Sequence, residues 1–295
     1  MITARQRVLR QAFLMLSALA FFTFIFAPIY WMTATSFMTE KEMLAIPPHF
    51  FPSEPTLRNY QTVLGIGDPE FLAFARNRAP AVFDIFPALK NSLIVAIVVA
   101  IINLLVGIPA AYAFARITYR RALPVLTIYL ATRMLPPIML VVPMFLIMRN
   151  LGLIDTPFAL VMAYCVFTLP FTVWLLQAYF KTIPAELEDS AFIDGATRWQ
   201  IVRHVLLPLA VPGCTCAAIL AFMASWSEFL FAVVFSKTAA SKTLPVVAAS
   251  FVDTASIQFD YVMTAGVITA LPPFLLALLF QRWIVNGLSA GALKG

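Results

Sequence analysis

Charge is what this chain has least of. Only 12% of its 295 residues are Asp, Glu, Lys or Arg, where soluble domains carry about 25%. A soluble fold of this length needs a charged surface that the sequence cannot supply, so that class is excluded. Cysteine and histidine are as scarce, at three and two residues. Cys165 stands alone, and Cys214 and Cys216, two apart, point to different faces of a helix. Neither a disulfide framework nor a metal site fits, and the thiols read as small apolar residues. His49 and His204 lie far apart in sequence. The sequence shows no nucleophile–base constellation, glycine-rich phosphate loop or pair of carboxylates within an apolar segment, so no catalysis by the chain itself is expected.

What is present is apolar length: 62% of the residues are hydrophobic. Stretches 11–39, 91–115, 156–180, 205–227 and 261–281 carry no charged side chain, and 122–148 carries only Arg133. About 20 residues of helix cross a hydrocarbon core of about 30 Å. Backbone polar groups cannot stay unpaired there, so these stretches must be helices. The short alternating segments of a barrel are absent. The reading is an all-α membrane protein with a transmembrane domain over 11–285. Its six transmembrane helices fall at about 11–36, 89–115, 123–148, 157–180, 205–235 and 261–283. A segment 1–10 precedes them, a tail 286–295 follows, and loops 37–88 and 181–203 are the substantial connections. Arg5, Arg7 and Arg10 before the first stretch resemble a signal peptide. Its apolar run is too long for one, however, and a retained helix is expected.

Orientation follows from the short loops. With six spans both termini share a side, which holds Arg5, Arg7, Arg10, Arg116, Arg120, Arg121, Lys181, Arg198, Arg203, Arg282 and Lys294. The other side holds Lys41, Arg58, Arg76, Arg78, Lys90, Arg149, Lys237 and Lys242, five of them in the long loop near 40–90. Long loops translocate largely regardless of charge. Both termini and the 181–203 loop are therefore predicted cytoplasmic. The formal net charge of +6 reflects this sidedness and no affinity for nucleic acid. The 37–88 loop, rich in proline, reads as an irregular external cap with short helices.

The informative segment is Lys181–Arg203. Pro184 suits a first helical turn, and Glu186, Glu188 and Asp189 follow where negative charge meets the positive helix end. Ile183, Leu187 and Ala191 predict one apolar stripe. Gly195 stands where a residue of positive φ ends a helix. Thr197 with Gln200 predicts a capping box that restarts a helix running into the fifth span. The expected product is a helix–glycine–helix elbow, its first arm about 15 Å long, shaped as a lever for a soluble partner to push.

The spacing here resembles the EAA loop of permease subunits in binding-protein-dependent ABC importers. Asp189-Ser190-Ala191 is followed after three residues by Gly195 and after nine more by Val205-Leu206-Leu207-Pro208. Asp189 and Ser190 replace the family's Glu and first Ala. The likeness extends through Ala111-Tyr112-Ala113-Phe114-Ala115-Arg116, Leu135-Pro136-Pro137, Gly152-Leu153-Ile154-Asp155-Thr156, Trp226-Ser227-Glu228-Phe229 and the glycine-rich ending, and it is strongest to the six-span maltose-type carbohydrate branch. The resemblance implies the type I importer permease fold in a bacterial or archaeal cell membrane, a homologous permease as heterodimer partner, two copies of an ATPase and an external solute-binding protein. It implies that ATP and Mg bind the ATPases and that this chain holds no cofactor. It places ATPase coupling on Glu186, Glu188, Asp189, Ser190, Ala191, Asp194, Gly195 and Ala196, and a further contact on Ser289, Gly291 and Lys294 of the tail. Substrate residues stay unassigned, because in that branch the partner permease supplies most of the site and most aromatics face lipid or the interface.

Arg133 and Glu228 are the charges read as intramembrane, where charge marks an interior or a water path. They leave a second reading open: a stand-alone secondary transporter using Arg133, Glu228 or Asp155 for ion coupling. A single acid within the spans and the lack of an internal repeat weigh against it.

Overall fold

The computed structural model describes residues 4–116, 122–252 and 258–292. Its helices, in chain order, are α1 (Ala4–Ser36), α2 (Glu40–Met43), α3 (Arg58–Leu64), α4 (Pro69–Arg78), α5 (Ile85–Arg116), α6 (Ala122–Ala131), α7 (Pro137–Asn150), α8 (Pro157–Phe180), α9 (Glu186–Ile193), α10 (Arg198–Ile201), α11 (Leu207–Trp226), α12 (Leu230–Phe235), α13 (Leu244–Ala249) and α14 (Phe259–Ala292). Among the described residues, five helical stretches are long and apolar enough to cross a bilayer: Arg10–Ser36, Pro80–Arg116, Pro157–Phe180, Arg198–Trp226 and Phe259–Trp283. The chain divides into two compact units, residues 1–85 with 248–269, and residues 86–247 with 270–295.

In the first unit, short helices between α1 and α5 are tied to helix ends by polar side chains. Asn59 Nδ2 donates to the carbonyls of Ser36 and Met38, both at 3.0 Å, and thereby satisfies the end of α1. Arg78, at the end of α4, grips Asp260 at the start of α14 through two nitrogens at 3.0 and 3.3 Å. Its terminal nitrogen also meets Glu40 at 2.7 Å. Asp260 is buried, so the guanidinium neutralises a charge that solvent does not reach.

The second unit is built around α8, the most enclosed of the long helices. Small residues let its neighbours approach, as they do where lipid gives helices no hydrophobic drive to associate. A Cβ on Gly213 of α11 would sit 2.6 Å from the Tyr179 ring, and one on Gly107 of α5 would sit 2.9 Å from Thr172. Next to the latter contact, Asn103 donates to Thr168 Oγ1 at 2.8 Å and accepts from Thr172 Oγ1 at 2.9 Å, joining α5 to α8. The Asp155 turn, with φ at 64°, is fastened to the loop after α12. Its carboxylate accepts from the amides of Lys237 and Thr238 at 2.8 and 3.0 Å and from the hydroxyls of Thr238 and Ser241 at 2.8 and 2.6 Å.

Two expected spans take a different form. The stretch expected as one helix over 123–148 is the pair α6 and α7, whose axes differ by 94°. Pro136 and Pro137 cause the break. Each excludes the helical region for the residue before it, and both Leu135 and Pro136 are extended, with ψ at 126°. The stretch expected over 205–235 is a continuous helix from Arg198 to Trp226 followed by the separate α12. Glu228 makes that second break: its carboxylate accepts the amides of Phe231 at 3.0 Å and Ala232 at 3.3 Å, capping α12.

Two outcomes follow from this packing. Gly213→Ala is expected to destabilise the protein by about 1–3 kcal/mol, the usual cost of overpacking. Adding Tyr179→Ala should recover part of the loss, read as thermal unfolding in detergent. At Asp155, burial opposes ionisation, but the hydrogen bonds from Ser241, Thr238 and Lys237 outweigh it and hold the carboxyl well below the usual range. The stability it lends is therefore complete well above the unfolded value of about 4 and is lost as pH falls through the lower folded value. Asp155→Asn should remove this contribution, so the wild type should exceed the variant in midpoint at pH 7 and the gap should close on acidification.

Candidate functional site

The 181–203 segment folds as an elbow whose two arms are set by local sequence. α8 ends at Phe180, which is fully buried, and Ile183 beyond it is buried as well. The first arm, α9, has eight residues and is about 12 Å long, shorter than expected. It ends in two paired bonds: Gly195 N–H to Phe192 C=O and Ala196 N–H to Ala191 C=O, both 3.0 Å. This is a Schellman motif, which requires positive φ after the cap, and Gly195 has φ of 84°. The second arm starts in a capping box. The Thr197 hydroxyl accepts from the Gln200 amide, and the Gln200 side chain accepts from the Thr197 amide at 2.7 Å.

From there α10 runs without interruption into α11 through a π turn at Val202–Leu206. Pro208 follows after Leu207. It lacks the amide that an α-helix needs at that position, and its ring crowds the preceding turn, so widening the helix relieves both problems. The arm beyond Gly195 and the long helix therefore form one rod.

Side chains divide sharply between the two faces of α9. Glu186, Asp189, Ser190, Asp194 and Gly195 are exposed, and Ala191 and Ala196 are half-buried. Ile193 and Trp199, at 87% and 64% exposure, stand apolar and open on either side of Gly195. Glu188 differs from its neighbours: it is buried, paired with Arg116 at the end of α5 at 2.5 Å, and accepts from the Tyr112 hydroxyl at 3.3 Å. The buried face of α9 is thus Glu188 with Ala191, three apart. The expected stripe of Ile183, Leu187 and Ala191 does not form, because Ile183 precedes the helix and Leu187 is exposed.

The other candidates fall elsewhere. Arg133 lies in the 3-10 turn before the α6–α7 break, its guanidinium 5.1 Å from the Phe171 ring centroid. Glu228 caps α12 and faces the buried Tyr164 hydroxyl without a hydrogen bond of standard geometry. No Arg133–Glu228 pair occurs among the described residues. Ser289 and Gly291 lie on the backbone of α14, their side chains outside the described residues, and Lys294 lies wholly outside them. A cavity of 830 Å³ opens among α5, α11 and α14, walled by Leu93, Ile101, Ile108, Val211, Leu275 and others, with Arg203 and Thr215 as polar members. Such walls offer a polyhydroxylated solute too few hydrogen-bonding partners to be its site. Sequence reasoning missed the Arg116 and Arg78 pairs. The signal was there in principle, since each arginine ends a helix and each faces an acid in the first turn of another.

Comparison with known proteins adds to this geometry. Residues 103–290 match the model of the family described as binding-protein-dependent transport system inner membrane component. The trehalose/maltose transport system permease protein MalG of Thermococcus litoralis is 36% identical over 293 residues, covering 99% of both chains. The inner membrane ABC transporter permease protein YcjP of Escherichia coli is 33% identical over 268 residues, 91% of each chain. Among solved structures, a bacterial ABC transporter that imports the acidic polysaccharide alginate has a similar fold. The TM-score is 0.74 at 20% identity, over 96% of this chain and 98% of that one.

Proposed function

The chain belongs to the family of binding-protein-dependent transport system inner membrane components and is a permease subunit of an ABC importer, and from that premise we propose that it carries a sugar and is driven through its elbow. Relatives whose names specify trehalose, maltose or sulfoquinovosyl glycerol, at 35–38% identity, support a carbohydrate cargo. The assembly is a heterodimer with a homologous permease, two ATPase copies and an external solute-binding protein. ATP and Mg bind the ATPases, and this chain takes no cofactor. Both termini and the elbow face the cytoplasm, in keeping with the excess of arginine and lysine on that side.

The observation that carries the proposal is the elbow itself. An exposed short helix with acids on one face ends at the Gly195 turn, Ile193 and Trp199 stand exposed on either side of that turn, and the arm beyond it forms one rod with the long helix. Closure of the ATPases pushes α9, and the rod passes the displacement into the transmembrane domain. The tail is a second contact with the ATPases, and deleting Gly291–Gly295 should lower coupling while leaving assembly intact. An ion-coupled transporter is disfavoured by Asp155, which stays ionised far below neutral pH and so carries no proton there.

Gly195→Val tests the elbow. At φ of 84° a Cβ finds open space, with nothing within 4 Å, so the cost comes from the positive φ, about 1–2 kcal/mol for an ordinary side chain and more for a β-branched one. That is too little to unfold the protein and enough to re-aim α9. The variant should insert normally, yet lose most binding-protein-stimulated ATP hydrolysis in the reconstituted complex. Asp189→Lys should lose it too, and Asp189→Glu should keep it. Normal hydrolysis and uptake by both damaging variants would remove the elbow from the mechanism.

A further inference from the structure

One guanidinium fastens the elbow to the transmembrane helices at two points. Arg116 Nε donates to Glu188 Oε1 at 2.5 Å, and a terminal nitrogen donates to the Ile183 carbonyl at 2.7 Å. Tyr112, one turn earlier on α5, reaches the other Glu188 oxygen at 3.3 Å. The arginine sits in the last turn of α5 and the glutamate in the first turn of α9, the ends at which each charge is favoured. Both side chains are shielded, at 15% and 5% exposure.

Nothing in the elbow's own folding calls for this pair. α9 is closed at its end by the Gly195 turn, and α10 is opened by Thr197 and Gln200. Glu186 and Asp189, on the same helical turn, stay in water. Removing two charges from water is costly unless the geometry is excellent, and the same helix surface filled by an apolar pair would be as stable or more so. What the ion pair supplies is direction. The planar fork of arginine fixes the angle of α9 by reaching the helix and the chain entering it together, which a single-point lysine does not do.

We infer that Arg116 is a positioning residue for energy coupling, acting through Glu188, and that it makes α5 a second receiver of the elbow's motion. The inference rests on the reading of the elbow given above. A push on α9 then divides: the covalent rod carries it into α11, and the Arg116–Glu188 contact carries it into α5. Both helices pack against α8 through close contacts at Gly213 and Gly107. The fork thus moves two neighbours of one central helix in step.

The test uses the full complex of both permeases, the ATPases and the binding protein as isolated from the cell. ATP hydrolysis at saturating Mg and ATP is measured with and without that binding protein, alongside the ATPase retained by the tagged chain. Glu188→Gln keeps the side-chain shape, and Arg116→Lys keeps the charge but not the fork. Both should retain the ATPase and lose stimulation by at least about fivefold, the lower end of typical coupling between sites. Asp189→Lys serves as the control for the elbow, and Tyr112→Phe, which removes one hydroxyl, should cost far less. A structural role alone would lower protein yield and thermal midpoint while leaving the stimulation ratio of the assembled complex unchanged, and that result overturns the inference. Should Glu188→Gln fail to accumulate, Arg116→Lys decides by the same ratio. Normal stimulation in Arg116→Lys and Glu188→Gln with loss in Asp189→Lys refutes the fork alone. Normal stimulation in all three refutes the elbow and the fork together.

Discussion

Hydrocarbon offers a backbone amide no partner, so each place where this chain leaves the helix must be answered by another group. Most of its architecture can be traced to those answers. At Leu135-Pro136-Pro137 two prolines bring no amide to satisfy, and the chain turns by 94° there. At Ser227–Phe229 the Glu228 carboxylate takes over two amides and starts a new helix. At Asp155 a carboxylate gathers four donors from the 237–241 loop. Even within continuous helices, Asn103 meets its needs with Thr168 and Thr172 on a neighbour. Polar side chains are few in this chain, and they concentrate where helices end or touch.

The same economy shapes the elbow. A lever that transmits force has to be short, stiff and aimed. α9 is short because the Gly195 turn ends it after two turns, and the continuous rod beyond is stiff because a π turn absorbs Pro208 without breaking the helix. Aim is the property that neither end of α9 controls. A helix hung between Lys181 and Gly195 alone is free to swing, and the Arg116 fork fixes its angle to α5. The exposed residues near Gly195 then stand at a defined place for a partner protein.

Much of this was legible in the sequence, for reasons of chemistry rather than pattern. Uncharged stretches of more than 20 residues can hardly be anything but membrane helices. The elbow's stops were also readable, because Gly195, Thr197 and Gln200 act through their own local backbone. Longer-range features were not. Glu186, Glu188 and Asp189 look alike as a run of acids at a helix start, and only the position of Arg116 makes the middle one a buried partner. What Glu228 binds was not legible either, because the amides it accepts open a helix that begins only after a break the sequence does not show. The third span read as continuous because hydropathy does not register the constraint two prolines place on their predecessors.

The central claim is that the elbow meets the ATPase, and a photoreactive side chain at Ile193 tests it most directly. That position is 87% exposed and flanks the Gly195 turn. Irradiation of intact membranes is predicted to give an adduct between this chain and the ATPase subunit, and the same probe at Phe74, exposed on α4, should give none. An ATPase adduct from Phe74, with none from Ile193, would contradict the account.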